Sequence, residues 1–370
     1  MPAQLAYIVA QARIARLALI GLAKNVGKTT TTNHLLETLL GEKLYRAEEL
    51  ALTSLGLDGE AIDALTGLPK PRYVPQAGLI VATTADLLDQ AESTGAEVER
   101  ISQLPGRTAL GPVIIARVLH PGGIIIAGPT LLRDLRDALD RMREYGAHLG
   151  IIDGAINRLG TASPAVTDAC IVCTGASVGG TPEIVARRTA EVLVRLAIPQ
   201  SEWGDVYKNQ LAQISQRRPG VKLHAFSIDY PDDNFTSLSE SAPTPVAEAQ
   251  WILERLQVFH RKTVFLLRGA FTEELSRELL AQLPQQCSQR QAELVVGDAT
   301  RIFCHPVVLL RLAARGINIR VADPIRILAL TINPYTPDYQ CTPQRLMDAL
   351  LKELPAEHPP IIDVVSGLRE

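Results

Sequence analysis

Short apolar runs alternate with amphipathic segments along the first half of the chain. Residues 16–22 predict a strand, and residues 29–40, which follow the next loop, carry their leucines on one helical face. The clearest amphipathic helix is predicted at residues 129–145, where leucines and a methionine form one stripe opposite the charged side chains. The other elements expected in this half are strands at residues 79–82, 113–117, 124–127, 149–152 and 169–174, and a helix at residues 182–196.

A second alternation of the same kind occupies the last third of the chain. Its expected strands are residues 263–267, 293–296, 317–321, 327–332 and 361–365, and its expected helices are residues 272–283, 306–315 and 343–354. Residues 199–262, between the two alternations, are polar and irregular, which is typical of a loop. The sequence therefore predicts a first α/β domain over residues 1–198, a connecting region over residues 199–262 and a smaller C-terminal α/β domain over residues 263–370.

Composition favours the α/β class. Hydrophobic residues make up 46% of the chain and aromatic residues only 4%, so aliphatic side chains must fill the interior. Alternating strands and helices of this composition are typical of a mainly parallel sheet with helices on both faces. Cys170 and Cys173 stand three residues apart on a predicted strand and therefore point to opposite faces. We expect them to be buried apolar residues and not to share a metal ion.

Charge and hydropathy disfavour several classes of partner. The formal net charge of −3 provides no overall positive field that would draw the protein to nucleic acid or anionic lipid. Two apolar stretches, residues 5–22 and 113–129, are interrupted by arginine, so neither is expected to be a signal peptide or a membrane span. We therefore expect a cytoplasmic protein that binds neither membrane nor nucleic acid.

The loop between the first predicted strand and helix, GLAKNVGKTT at residues 21–30, has the chemistry of a phosphate-binding loop. A triphosphate needs backbone N–H groups and a cation around its charges, and a glycine loop entering a helix supplies the N–H groups. Gly27 lets the backbone approach the phosphates, Lys28 can reach the β- and γ-phosphates, and Thr29 can ligate Mg²⁺. The residues expected to bind the nucleotide are Gly21, Lys24, Asn25, Val26, Gly27, Lys28, Thr29 and Thr30.

This loop is a variant of the usual P-loop pattern. The strict pattern places its first glycine at position 22, where this chain has Leu22, and Gly21 stands one residue earlier. The loop resembles the dethiobiotin-synthetase and ParA/nitrogenase-iron-protein branch of P-loop proteins, which usually ends it in Val-Gly-Lys-Thr. Dethiobiotin synthetase also has the six-residue spacing of Gly21 and Gly27. The additional lysine of ParA-like members, which acts across a dimer interface, would align with Ala23. In this chain Lys24 stands one residue later, so the sequence departs from the ParA-like pattern at this position. A homodimer remains compatible with the sequence.

Two aspartates are candidates to complete a magnesium site, because Mg²⁺ prefers oxygen ligands. Asp153 follows the predicted strand at residues 149–152, where α/β sheets hold ligands, and resembles a Walker B aspartate. Asp58 lies in Leu-Asp-Gly-Glu and could position water or link to the metal in a switch-like loop. Each Asp-Gly pair could instead form a simple turn. With Lys28, these aspartates are the expected catalytic residues, and with Thr29 they are the expected metal ligands.

Weaker candidates follow other predicted strand ends or turns. Arg158 could stabilise phosphate charge during transfer or could form a surface ion pair. Residues 295–300 and 331–335 are polar clusters that could bind a ligand or partner, although turn formation is the simpler interpretation. The other candidates of this kind are Thr53, Ser54, Thr108 and Asn157. The chain lacks an Asn-Lys-x-Asp guanine-reading motif, which favours ATP over GTP.

Three segments, residues 52–60, 152–158 and 330–334, resemble the lysine 5,6-aminomutase reactivase family, whose members are encoded beside cobalamin-dependent amino-acid mutases. The resemblance implies an ATPase whose hydrolysis drives exchange of damaged cobalamin on a mutase, with a second ATPase subunit as partner. In this interpretation Lys28, Thr29 and Asp153 hold MgATP, and Asp58 senses the γ-phosphate. The C-terminal domain would contact the client enzyme, and nucleotide-dependent ordering of residues 53–60 would be the switch.

Two other classes of function stay open. One is a ligase similar to dethiobiotin synthetase, which phosphorylates a carbamate on a small substrate; the loop spacing fits it better, but such enzymes normally have a single domain. The other is a nucleotide-binding scaffold or sensor that hydrolyses nothing. ATP turnover in the presence of a mutase or of small diamines separates the three.

Overall fold

The computed structural model describes residues 3–58, 73, 75–153, 159–209, 225–229, 234–238, 244–258, 263–283, 292–336 and 341–369. The chain divides into two compact units. Unit 1 comprises Met1–Ala190 and Arg326–Glu370, and unit 2 comprises Glu191–Ile325. The sequence of unit 2 is thus inserted into that of unit 1.

A nine-stranded sheet forms the centre of unit 1 in the described part of the chain, in the order β18-β17-β9-β1-β8-β2-β4-β6-β5. The first seven strands in this order run parallel, whereas β6 is antiparallel to both β4 and β5. Two further short strands, β3 and β7, pair antiparallel with each other. The strands of unit 1 are β1 (Arg16–Gly21), β2 (Leu50–Ser54), β3 (Leu57–Asp58), β4 (Ile80–Thr84), β5 (Glu97–Gln103), β6 (Val113–His120), β7 (Ile126–Ala127), β8 (Leu149–Asp153), β9 (Ala169–Gly175), β17 (Ile327–Asn333) and β18 (Ile361–Ile362).

Helices flank this sheet, which confirms the predicted α/β fold with a mainly parallel sheet. Every residue of β2, β8 and β9 is buried, as expected for strands that are covered on both faces. The helices of this part are α1 (Gln4–Gln11), α2 (Lys28–Gly41), α3 (Ala85–Ser93), α4 (Leu132–Glu144), α5 (Pro182–Leu196) and α9 (Pro343–Glu353). None of the helices within the described ranges is both long enough and apolar enough to cross a membrane.

The last 45 residues depart from the domain boundaries expected from the sequence. Strand β17 pairs in parallel with β9, with Thr331 beside Cys173 and Asn333 beside Gly175, and β18 pairs with β17. Residues 326–370 therefore belong to unit 1 and are not part of a C-terminal domain spanning residues 263–370. The physical reason is that β17 is apolar on both faces and buried at its five central positions, which suits an inner strand of the large sheet.

Helix α4 begins later than the amphipathic pattern predicts. The carbonyl oxygen of Pro129 accepts a hydrogen bond from Gly56 N at 2.9 Å, and Gly128 N donates to Gly56 O at 3.1 Å. These bonds hold the residues before α4 against the turn that follows β2. Leu135, Leu139 and Met142 of the predicted stripe are buried together with Ala138, whereas Leu131 precedes the helix and is exposed.

Unit 2 contains a five-stranded sheet in the order β11-β10-β12-β14-β16, as far as its residues are described. Strands β12, β14 and β16 are parallel, while β10 is antiparallel to β11 and β12. Its strands and helices are β10 (Ala225–Asp229), β11 (Asn234–Leu238), α6 (Pro245–Val258), β12 (Thr263–Leu267), β13 (Phe271–Thr272), α7 (Glu273–Gln282), β14 (Ala292–Val296), β15 (Ile302–Phe303), α8 (Pro306–Ala314) and β16 (Ile317–Val321). The expected connecting region, residues 199–262, thus supplies two strands and a helix of this unit. Sequence patterning missed the two strands because they are short and partly polar.

Glu248, in the first turn of α6, is a buried carboxyl group whose burial raises its pKa to about 7. The folded protein therefore holds a proton that the unfolded chain has released between about pH 4.5 and pH 7. The stability linked to this proton is fully present below the pKa of Glu248 in the unfolded chain. It is lost as pH rises through the pKa of Glu248 in the folded protein. The urea concentration at the unfolding midpoint of the wild type should therefore decrease between about pH 5 and about pH 8. We expect this decrease to be smaller in Glu248→Gln.

The exposed residue Glu274 on α7 offers a matched control for this measurement. Glu274→Gln makes the same chemical change at an exposed position of the same unit, so the effect of Glu248→Gln is measured against it. If the urea midpoints of the wild type and Glu248→Gln changed equally with pH, Glu248 would not titrate differently in the folded and unfolded states.

Candidate functional site

The loop at residues 21–27, called the glycine loop below, joins β1 to α2 at the middle of the large sheet. Gly27 precedes the first helical residue and has φ +86°, a left-handed conformation that a residue with a Cβ adopts only with strain. Leu22 N donates to Cys173 O at 3.0 Å, which fixes the start of the loop against β9. The amino-terminal end of α2 therefore opens at the carboxyl ends of parallel strands, where N–H groups without helical partners attract anions.

The side chain of Lys28 passes close to Gly21. A Cβ at position 21 would lie 2.9 Å from Cδ of Lys28 and 3.0 Å from Cγ2 of Val26. The aliphatic part of Lys28 thus passes directly over Gly21. This contact gives a physical reason for a glycine at position 21, although the strict loop pattern places it at position 22.

Lys28 and Asp153 form a buried ion pair at the centre of the site. The distance from Lys28 Nζ to Asp153 Oδ1 is 3.2 Å, and the two side chains are 9% and 0% exposed. Asp153 is the last residue of β8 and lies beside Leu19 of β1 in the sheet register. Because two charges removed from water are costly unless they are matched, each of these residues depends on the other or on a replacement charge.

Three hydroxyl groups lie within hydrogen-bond distance of the second oxygen of Asp153. Thr29 Oγ1 and Thr32 Oγ1 each lie 3.4 Å from Oδ2, and Tyr73 OH donates to the same oxygen. The structure thus brings together Lys28, Thr29 and Asp153, which the sequence proposed as a group. Thr32 and Tyr73 were not predicted; Thr32 could have been found from its position one helical turn after Thr29, whereas no local pattern marks Tyr73.

Strand β17 supplies two further residues beside the glycine loop. Asn333 Nδ2 donates to Asn25 O at 2.8 Å, and Thr331 Oγ1 lies 3.2 Å from Thr31 Oγ1. A Cβ at Gly27 would lie 3.3 Å from Cβ of Asn333, so the side chain of Asn333 covers the end of the loop. The sequence placed residues 331–335 in a separate domain and favoured a turn; the structure places this cluster at the glycine loop.

The remaining loop residues differ in exposure. Val26 is buried, Lys24 and Thr30 are partly buried, and Asn25 is exposed with φ +58°. Asn25 adopts this left-handed conformation as asparagine does more readily than most residues. Its carbonyl oxygen is held by β17, so the backbone around it is fixed.

The expected switch residues are only partly described. Thr53 Oγ1 donates to Ala82 O at 3.1 Å, and Ser54 Oγ lies 2.5 Å from Gly56 O and 3.2 Å from Ile126 O, which share its one hydrogen. Both hydroxyls therefore bond to backbone. Asp58 lies in β3, where its backbone pairs with Ile126, but its side chain is outside the described residues and its catalytic and metal-binding roles stay predictions.

Other predicted candidates have simpler places in the structure. Asn157 and Arg158 lie outside the described residues. In the cluster at residues 295–300, Asp298 Oδ1 accepts from Thr300 N at 2.8 Å, so this aspartate forms the expected turn. Cys170 and Cys173 are buried as expected, and burial raises their pKa values to about 12 and about 11.

Comparison of the whole chain with models of known protein families, with characterised proteins and with solved structures gives no match. We therefore infer function from the contacts around the glycine loop and Asp153, together with the resemblances carried by short segments of the sequence.

Proposed function

We propose that this protein is a P-loop nucleoside-triphosphatase that binds MgATP at the glycine loop. The observation that carries the proposal is the buried contact of Lys28 with Asp153, formed where α2 begins and beside the hydroxyl of Thr29. A lysine, a hydroxyl and a carboxylate at a helix amino terminus are the groups that cradle phosphates and an accompanying metal ion.

The residues around Asp153 fit a magnesium ion. Mg²⁺ prefers oxygen ligands and usually takes only one or two carboxylates from the protein. Here one fully buried carboxylate lies 3.4 Å from the Thr29 hydroxyl oxygen. Thr29 and Asp153 would hold the ion, and Asp58 remains a further candidate. The ion would neutralise charge on the transferring phosphoryl group.

Lys28 would exchange partners when nucleotide binds. Its Nζ contacts Asp153 in this structure, and it must leave that carboxylate to reach a β- or γ-phosphate oxygen. If Lys28 moved away, the buried charge of Asp153 would be left without a partner, which is energetically costly. Another cation must therefore take the place of the ammonium group. Nucleotide affinity should therefore depend strongly on magnesium.

The finer function we propose is reactivation of a cobalamin-dependent amino-acid mutase in the cytoplasm. Its support is the resemblance of residues 52–60, 152–158 and 330–334 to the lysine 5,6-aminomutase reactivase family. One of these segments, residues 330–333, lies beside the glycine loop, which supports a role for it at the proposed nucleotide site. A mutase would be the client and a second ATPase subunit the partner.

One observation favours a second candidate, a ligase similar to dethiobiotin synthetase. The six-residue spacing from Gly21 to Gly27 is that of this enzyme, and the path of Lys28 over Gly21 gives the spacing a structural reason. Such a ligase would phosphorylate a carbamate on a small substrate and would need no client protein.

Equilibrium binding and phosphate release test the proposal directly. We expect the full-length protein to bind a fluorescent ATP analogue at least about tenfold more tightly with Mg²⁺ than with EDTA, because the cation replaces Lys28 beside Asp153. Adding an inactivated aminomutase should stimulate phosphate release. Product from diamines with bicarbonate would instead identify the ligase. Absence of magnesium-dependent affinity for both ATP and GTP would refute the nucleotide site.

A further inference from the structure

Tyr73 contacts Asp153 from outside the strands and the helix that form the glycine-loop site. The residue is buried, with 1% of its surface exposed, and its hydroxyl donates to Oδ2 of Asp153. This contact is shorter than the 3.4 Å from the same oxygen to the hydroxyls of Thr29 and Thr32. A hydrogen bond from a hydroxyl to a carboxylate is roughly twice as strong as one between neutral groups. Of the three hydroxyls, that of Tyr73 therefore fixes the carboxylate most directly.

The lone pairs of Asp153 Oδ2 leave room for a metal ion and one hydrogen-bond donor. A carboxylate oxygen has two lone pairs. When Thr29 and Asp153 hold the proposed magnesium ion, one lone pair of Oδ2 is available to a hydroxyl. Thr32 Oγ1 also lies 3.1 Å from the carbonyl oxygen of Lys28, which can accept its hydrogen instead. Tyr73 can thus keep its bond to Asp153 while the ion is bound.

The backbone of Tyr73 pairs with a segment that is itself held in place. Tyr73 forms an antiparallel bridge with Ile124, which is buried. The residues after Ile124 are held by Thr83 of β4, whose hydroxyl donates to Ile125 O and accepts from Ala127 N, each at 2.9 Å. A side chain that orients a metal ligand is effective only when the surrounding structure sets its own position. Tyr73 meets this condition.

We propose that Tyr73 is a positioning residue that orients Asp153 for a magnesium ion, an inference that rests on the proposed nucleotide site. When Lys28 leaves Asp153 for a phosphate oxygen, the hydrogen bond from Tyr73 keeps the carboxylate in its orientation. Mg²⁺ demands near-ideal octahedral geometry, whereas Ca²⁺ accepts flexible arrangements of oxygen ligands. Tyr73 therefore contributes more to the binding of Mg²⁺ than to the binding of Ca²⁺.

Tyr73→Phe tests this role, because it removes the hydroxyl group and keeps the buried ring. Loss of a group that orients a metal ligand typically weakens metal binding by about 10–100-fold. We expect the Mg²⁺ concentration for half-maximal binding of a fluorescent ATP analogue to the full-length protein to rise about tenfold or more. The corresponding Ca²⁺ concentration should rise less, and affinity for the analogue at saturating Mg²⁺ should stay close to that of the wild type.

Tyr7→Phe provides a matched control. Tyr7 OH donates to Oε2 of Glu42 at 2.8 Å, so this variant also removes a hydrogen bond from a tyrosine to a carboxylate. Glu42 follows the last residue of α2, whose 14 residues separate it from the glycine loop by about 21 Å. Tyr7→Phe should therefore require as much Mg²⁺ as the wild type. Thermal unfolding without metal or nucleotide checks that each variant folds.

A variant with 4-aminophenylalanine at position 73 restores a ring that carries a hydrogen-bond donor. Its Mg²⁺ requirement should lie between those of the wild type and Tyr73→Phe, and a requirement as high as that of Tyr73→Phe would contradict the positioning role.

The titrations separate failure of this inference from failure of the proposed function. If Tyr73→Phe required no more Mg²⁺ than the wild type, the inference would be overturned and the nucleotide site would stand. Equal losses of Mg²⁺ and Ca²⁺ binding would also overturn it, since they indicate general damage to the site. A wild-type protein without magnesium-dependent affinity for the analogue would refute the nucleotide site and this inference together.

Discussion

Lys28→Ala is expected to abolish magnesium-dependent ATP binding and to lower ATP turnover by about a hundredfold or more. The ammonium group of Lys28 contacts Asp153, and the side chain of Lys28 passes over Gly21. Without it, a bound triphosphate would lose the direct protein charge for its β- and γ-phosphates. Fluorescence titration with an ATP analogue and a phosphate-release assay measure the two effects.

The same substitution should also destabilise the fold, because it leaves Asp153 buried without its cationic partner. Removing one member of a buried pair costs about 3–5 kcal/mol. The double variant Lys28→Ala/Asp153→Asn removes the unmatched charge and should recover part of that stability without recovering ATP binding. Lys352→Ala, at an exposed position of α9, serves as the control for losing a lysine.

These variants distinguish a functional lysine from a structural one. Wild-type ATP affinity in Lys28→Ala would exclude the proposed role. A double variant that regained both stability and ATP binding would show that the single substitution acts only through folding.

Gly175→Ala is expected to disrupt the sheet beside the glycine loop. A Cβ at Gly175 would overlap the carbonyl oxygen of Asn333 and lie 3.0 Å from the Cβ of the same residue. Because these are backbone and near-backbone atoms of the neighbouring strand, β17 would have to move away from β9. We expect a loss of stability of about 1–3 kcal/mol or more, together with weaker ATP binding, since Asn333 holds the carbonyl of Asn25.

Two comparisons isolate the cause. Gly41→Ala, at the end of α2, meets no atom within 4 Å and should be neutral or stabilising by up to about 1 kcal/mol. Asn333→Ala removes the hydrogen bond to Asn25 without any overlap, and should weaken ATP binding with a smaller loss of stability. Thermal unfolding and ATP titration of the three variants provide the readouts. A Gly175→Ala protein as stable as Gly41→Ala would contradict the close approach of β9 and β17.

The sequence could predict the glycine loop and its lysine because their signal is local. An apolar run, a loop ending in Gly-Lys-Thr and a leucine stripe follow each other directly, and they form β1, the loop and α2. Asp153 was also predictable, since an aspartate after a buried run marks the carboxyl end of a parallel strand. Its contact with Lys28 then follows from the adjacency of β8 and β1.

The rest of the site could not be predicted because it depends on pairing between distant segments. No sequence pattern near Asn333 indicates that β17 pairs with β9, because the entire sequence of unit 2 lies between these two strands. Tyr73 reaches Asp153 from outside any regular strand or helix, so no periodic pattern marks it. Strand β5 was missed for a different reason: its charged, half-exposed residues are those of a sheet edge and resemble a loop.

The late position of β17 in the chain has a consequence for synthesis on the ribosome. Residues 1–190 emerge first, but the strand that fastens Asn25 emerges only after all of unit 2 has been made. Until then the edge of β9 that pairs with β17 has no neighbouring strand in this sheet. An unpaired edge of an apolar strand promotes aggregation. The proposed nucleotide site would therefore be completed in nascent chains only when β17, residues 327–333, has left the exit tunnel.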